Sequence, residues 1–157
     1  MRMNLRFCEG GAIMAHTYAG NFVHCIFSTK GRRPLLSPES AEGLYAYFSG
    51  IAQGEGLTLV AAGGTSNHVH LLFVLPASCA LARAVQKLKG KSSIWLGRGF
   101  SWQEGYGAFS VSSSQVQVVK EYIQNQEQHH RKRDFEQEFV ALLRKSGIAY
   151  DGKYVFG

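Results

Sequence analysis

Apolar residues along this chain follow two rhythms in turn. Over residues 17–28 (TYAGNFVHCIFS) they alternate, Phe22, His24 and Ile26 against Val23, Cys25 and Phe27. That is the period of a strand buried on at least one face. Ser37-Pro38-Glu39 opens a helix, with Ser37 as N-cap and Pro38 at the first helical position. Leu44, Tyr45, Phe48 and Ile51 continue it at helical spacing, and Gly54 or Gly56 ends it. Residues 57–62 (LTLVAA) read as a short strand. Gly63-Gly64 then leads through a polar link to the apolar run Leu71 to Leu75, which Pro76 stops. These two strands are expected to pair as antiparallel neighbours. From Cys79 to Leu96 the helical rhythm returns, with Leu81, Val85, Leu88 and Trp95 on one stripe and Ser92 completing it. Residues 107–111 (GAFSV) read as the closing strand.

Beyond that strand, Ser114 and Gln117 match a capping box opening a helix with Val116, Val119 and Ile123 on its apolar stripe. Asp134 is placed to cap a last helix over 135–145, with Phe139, Leu142 and Leu143 apolar and Gly147 as its stop. The tail 148–156 is expected to pack as an extended segment. The order strand, helix, strand, strand, helix, strand predicts an α+β fold of the ferredoxin-like sandwich type. Its antiparallel sheet would carry helices on one face, with extra C-terminal helices added.

Composition narrows the class. At 157 residues the chain fits one domain, taken as 15–157. Residues 1–14 have a glycine pair and no periodicity; they are expected to be a disordered extension ahead of a candidate start at Met14. Seventeen Lys and Arg against eleven Asp and Glu give a net charge of +6, which favours a polyanionic partner. Three scattered cysteines form neither a zinc pattern nor a disulfide framework, and with no apolar run of spanning length the expectation is a cytoplasmic protein.

Candidate chemistry concentrates in two stretches. In Asn67-His68-Val69-His70, two histidines two apart in a strand present their imidazoles to one face, close enough to share a metal ion or a phosphate. Alone, this triplet is equally compatible with structural histidines. The second stretch carries Tyr122 and Gln126, four apart and therefore on the same helical face, followed by His129-His130-Arg131-Lys132-Arg133, whose charge suits a helix C-terminus. His129 and His130 are read as capping residues and His24 as a core histidine. Arg83, Lys87, Lys89 and Lys91 recur along the Cys79–Leu96 helix with Arg98 after it, and no acidic residue interrupts them. With Lys120 beside the tyrosine, they are candidate contacts to a nucleic-acid backbone. Lys30-Gly31-Arg32-Arg33 is a basic turn able to touch phosphate, and Trp102, Tyr106 and Phe109 are candidates for stacking on unpaired bases.

Taken together and in order, four motifs closely resemble the single-tyrosine HUH transposases of the insertion sequence 200/605 group. They are Phe27-Ser28-Thr29-Lys30, His68-Val69-His70, Gly105 to Ser112 (GYGAFSVS), and Tyr122 to His130 (YIQNQEQHH). The resemblance spans about residues 15 to 154. It implies that Tyr122 is a nucleophile that cuts single-stranded DNA, giving a 5′-phosphotyrosine and a free 3′-hydroxyl. It implies that His68, His70 and Gln126 hold one divalent cation, Mg²⁺ or Mn²⁺. It also implies a homodimer acting on DNA with hairpins at element ends. The two-tyrosine relatives would carry another tyrosine where this helix has Gln126.

Other readings predict different behaviour. A domesticated relative would cleave hairpins as a single-strand nuclease without moving an element. A single-stranded nucleic-acid binding protein would ignore both chelator and Tyr122→Phe. A metal-dependent phosphoesterase using water would turn over without a covalent adduct.

Overall fold

The computed structural model describes residues 18–156, so the expected extension over 1–14 lies outside the described residues. Four strands form one sheet: β1 (Phe22–Ser28), β2 (Thr58–Gly64), β3 (His68–Val74) and β4 (Gly107–Val111). Their spatial order is β2-β3-β1-β4, with every neighbouring pair antiparallel. Helices α1 (Pro38–Gly54) and α2 (Leu81–Leu96) occupy the two crossover positions, giving the split β-α-β arrangement expected from the pattern.

The register sorts the strand residues into two faces. Val23, Cys25 and Phe27 of β1 share one face with Val69, Leu71 and Phe73 of β3. There they form the main core with Leu44 and Phe48 of α1 and Val85 and Leu88 of α2. His24, Ile26 and Ser28 lie on the other face with His68, His70 and Leu72. A register shift in β2 between Leu59 and Ala61 changes its parity, so Leu59 packs with the main core while Ala61 and Gly63 lie beside Leu72 and His70.

The C-terminal helices cover that second face. They are α3 (Val116–Gln124), the short α4 (Gln126–His130) and α5 (Phe135–Lys145). Two glycines permit the approach. A Cβ on Gly63 would stand 2.2 Å from the Ile123 carbonyl oxygen, and one on Gly107 would stand 2.5 Å from the Phe139 ring. With hydrogen at both positions, α3 seats on β2 and α5 on β4. Ile26 and Phe109 then pack with Phe135, Phe139 and Leu143 of α5 as a second, smaller core.

Three local expectations change. The Ser114 capping box does not form; residues Ser113–Gln115 make a 3-10 turn, and α3 starts at Val116 with no side-chain cap. The single helix expected through residue 130 is interrupted at Asn125 (φ −105°, ψ 26°). The tail is not extended: the amides of Tyr154 and Val155 both donate to the Asp151 carbonyl, and this turn brings Val155 and Phe156 against α5. Asp134 caps α5 as its sequence predicts, in a capping box with Gln137.

Candidate active site

Strand parity brings His68 and His70 to the face under α3, both fully buried. Each imidazole is fixed through Nδ1 and presents Nε2. His68 Nδ1 lies 2.8 Å from Asn67 Oδ1 and 2.9 Å from Thr65 Oγ1. A carboxamide oxygen only accepts, so Nδ1 of His68 carries a proton directed at Asn67. His70 Nδ1 pairs with His24 Nε2 at 2.8 Å, and the two rings stack. Burial pulls His24 down to about 3, with His70 adding to the effect. It pulls His70 down to about 4 against the opposing attraction of Glu138. Both rings are therefore neutral at pH 7, the state in which an imidazole ligates a metal.

Tyr122 and Gln126 remain one turn apart despite the break at Asn125. Gln126 is buried, its Oε1 is 3.4 Å from His68 Nε2, and its amide nitrogen donates to the Tyr122 carbonyl at 3.2 Å. The Tyr122 ring meets His70 edge-on and lies against His129. His68, His70, Gln126 and Tyr122, read from two distant stretches of sequence, thus converge.

The sequence reading missed one central side chain. Glu138 of α5 is 5% exposed and reaches into the middle of the cluster. Its Oε1 is 2.8 Å from His70 Nε2, 3.5 Å from His68 Nε2 and 3.3 Å from His130 Nε2. Its Oε2 accepts the Tyr122 hydroxyl. His130, read as a helix-end residue, belongs to this cluster instead; His68, His70, His130 and Glu138 offer ligand atoms all within 4.8 Å of one another. Burial raises the Glu138 pKa, but hydrogen bonds from His130, His68 and His70 outweigh it and keep the group a carboxylate. Burial raises the Tyr122 pKa, and the adjacent carboxylate raises it further, so the phenol is protonated at rest. A signal for Glu138 was present: it falls three residues after Phe135 and four before Leu142, an acidic residue at helical spacing with apolar ones.

The other candidates divide differently. Helix α2 packs on the sheet face opposite the histidines, so Arg83, Lys87, Lys91 and Arg98 do not line the site. Lys89 is half-buried and donates to the carbonyls of Gln103, Glu104 and Gly105, a structural clamp rather than a free phosphate contact. Lys91 pairs with Glu55 at 2.9 Å, and Arg32 of the basic turn pairs with Glu136 at 2.6 Å. Lys120, on α3, is partly exposed. Trp102 and Phe109 are buried and unavailable for base stacking, Trp102 donating its indole N–H to Ser92 at 3.0 Å; Tyr106 remains exposed. A cleft of about 500 Å³ opens beside Tyr122 between α3 and α5, with His129, Lys132, Arg133 and Lys145 at its rim.

An antiparallel four-stranded sandwich with paired strand histidines and a tyrosine–glutamine helix over them defines a class, and the comparisons with known proteins identify it. The family model described as "Transposase IS200 like" matches residues 18–126, and the chain belongs to that family. The chain is similar to the transposase for insertion sequence element IS200 of Salmonella typhimurium, with 23% identity over 72% of this chain and 81% of that protein. It is 28% identical to the ISDra2 transposase TnpA of Deinococcus radiodurans over 66% of this chain and 81% of that one. Among solved structures, a putative transposase from Deinococcus radiodurans aligns with a TM-score of 0.58 and 28% identity, covering 73% of this chain and 98% of that one. A REP-associated tyrosine transposase bound to a REP hairpin shares the fold, with a TM-score of 0.57 at 14% identity, over 74% of this chain and 72% of that one. Among the described residues no helix is long and apolar enough to cross a membrane.

Proposed function

We propose that this transposase cuts and rejoins single-stranded DNA through a 5′-phosphotyrosine on Tyr122, acting on hairpins at the ends of an element. The observation that carries this reading is the convergence of the Tyr122 hydroxyl and the Nε2 atoms of His68 and His70 on one buried carboxylate. In the forward step the Tyr122 oxygen attacks phosphorus and the bond to the 3′-oxygen breaks. The phenolic proton passes to an acceptor, for which Glu138 is hydrogen-bonded, and the departing 3′-oxygen takes up a proton. The covalent ester conserves the bond energy, so the reverse attack by a 3′-hydroxyl rejoins a strand without a nucleotide triphosphate.

The protonated, buried phenol is a poor nucleophile at neutral pH, so its activation requires charge compensation nearby. Mg²⁺ or Mn²⁺ would supply that, withdrawing charge from the scissile phosphate and orienting it. The residues fit such an ion: His68 and His70 are anchored through Nδ1, and Gln126 turns its oxygen toward His68. Imidazole donors favour Mn²⁺ over Mg²⁺, and Mn²⁺ is expected to support activity at least as well. The basic rim of the cleft beside Tyr122 suits the phosphates of an approaching strand. A homodimer, as the resemblance implies, is part of the proposal.

Covalent trapping tests it. End-labelled single-stranded hairpins from the flanks of the gene are incubated with protein and Mn²⁺ or Mg²⁺, then denatured in detergent. A metal-dependent labelled band that is lost in Tyr122→Phe is the expected result. Tight hairpin binding with no adduct would instead indicate a binding protein. Cleavage without an adduct would make water the nucleophile.

A further inference from the structure

The carboxylate at the centre of this site comes from a helix that lies beyond the matched family region, which ends at residue 126. Its position is built rather than incidental. Glu138 occupies a core register of α5, flanked by Phe135 and Phe139, and Phe139 seats against β4 at Gly107 with no room for a Cβ. The Asp134 capping box fixes the first turn of the same helix.

Burying a carboxylate is costly unless charge or hydrogen bonds compensate it. Among the described residues, the ion-pair partners of Glu138 are His68, His70 and His130, with neither Lys nor Arg among them. A divalent cation would add full positive charge beside the carboxylate. Metal–ligand bonds of about 2.0–2.2 Å place adjacent donors roughly 3.0–3.5 Å apart. Glu138 Oε1 lies 2.8, 3.5 and 3.3 Å from the Nε2 atoms of His70, His68 and His130, and Gln126 Oε1 lies 3.4 Å from His68 Nε2. The three separations of 3.3–3.5 Å are the spacings of donors around one ion, and the 2.8 Å contact is the hydrogen bond between His70 and the carboxylate. Two imidazoles and an amide alone form a neutral set, a poor match to a hard cation; a carboxylate adds both charge and an oxygen.

We propose that Glu138 is a ligand of the metal centre through Oε1 and that its Oε2 holds the Tyr122 hydroxyl, so that one carboxylate from α5 couples the ion to the nucleophile. The inference rests on the metal-dependent tyrosine reading above. It assigns to this chain a donor outside the His68, His70 and Gln126 set that the family resemblance implies.

The test is metal binding rather than turnover. Full-length protein stripped with chelator is titrated with Mn²⁺, with binding followed by calorimetry and by loss of the free-Mn²⁺ electron paramagnetic resonance signal. Glu138→Gln, nearly isosteric, is expected to weaken Mn²⁺ binding at least tenfold, with far-UV circular dichroism unchanged. Glu138→Asp, which keeps the charge, is expected to recover part of that loss. Tyr122→Phe is expected to leave Mn²⁺ affinity within about twofold, because the hydroxyl meets Oε2 and not the donor atoms. Should Glu138→Gln bind as tightly as the parent while His68→Ala binds nothing, the inference fails and the histidine site stands. Should the parent itself bind no divalent ion, both this inference and the metal-dependent reading fall. If Glu138→Gln does not fold, Glu138→Asp decides: affinity equal to the parent's after the carboxylate is drawn back by one methylene overturns the assignment.

Discussion

On one face of the sheet Val23, Cys25, Phe27, Val69, Leu71 and Phe73 meet α1 and α2 in an apolar layer. On the other face, at the intervening positions of the same strands, His24, Ser28, His68 and His70 are equally buried but polar. A single β3 strand, His68 to Val74, thus contributes to both layers, one residue to each in turn. The first layer is stabilised by area removed from water, which tolerates no polar group without a partner. The second depends on a continuous chain of donors and acceptors from Thr65 and Asn67 through the imidazoles to Glu138 and Tyr122. Among the described residues no buried side-chain nitrogen or oxygen lacks a hydrogen-bond partner. Stability concentrates on one side of the strand and chemistry on the other, so a one-residue register slip would destroy both.

The comparison is sharpest for paired truncations on the two faces. Phe27, fully buried against Phe48 and Trp102, is expected to cost about 3–5 kcal/mol as Phe27→Ala in chemical denaturation. His68→Ala should cost less stability and yet abolish Mn²⁺ binding. An inverted result, with the histidine carrying the stability, would dissolve the division between the faces.

A smaller effect separates them by pH. Above about 6.5 His24 and His70 are neutral whether the chain is folded or unfolded. As pH falls below 6.5, the unfolded chain takes up protons that the folded one refuses until about 4 at His70 and about 3 at His24. Stability should therefore decline from pH 6.5 toward 4, by a few kcal/mol, as linkage requires. The depressed Glu138 acts with the same sign, its contribution being lost only in stronger acid. Thermal denaturation at pH 7 and pH 5 measures this, and His24→Phe should flatten part of the slope.

The smallest contrast lies within α2. Lys89→Gln breaks charge-assisted bonds to three carbonyls and is expected to lower stability by about 1–3 kcal/mol. Lys87→Gln, on the same helix and without such a clamp, should shift stability by less than about 0.5 kcal/mol. Equal effects would remove the distinction between a structural lysine and a surface one.

Much of this was legible in the chain itself. Alternation gave the strands, the Ser37-Pro38 and Asp134 signals gave two helix starts, and the His68-X-His70 and Tyr122-x₃-Gln126 spacings named four residues that do meet. Those are local properties, set by the periods of 2.0 and 3.6 and by capping chemistry, and they survive without knowledge of any long-range contact. The Ser114 capping-box signal forms no cap, because the Ser112 and Ser114 hydroxyls bond each other at a 3-10 turn instead of to the start of α3.

What the sequence could not reveal is who faces whom. Lys89 belongs to an uninterrupted basic run, yet its carbonyl partners lie 14 to 16 residues further on, and only packing brings them within reach. Glu138 reads as one acidic residue among several on α5 until Gly107 lets Phe139 seat on β4 and swings that carboxylate over the histidines. His24 is the core histidine its position suggests, but only the β1–β3 register makes His70 its hydrogen-bond partner. The sequence by itself determined most of the elements, the alternating faces of β1 and β3, and the spacings that set His68 beside His70 and Tyr122 one turn from Gln126. The docking of α5 across the second face, and with it the Glu138 carboxylate at the centre of the site, was decided only by tertiary structure. Contacts between residues 68, 70 and 138 depend on the path of the whole chain and not on any local period.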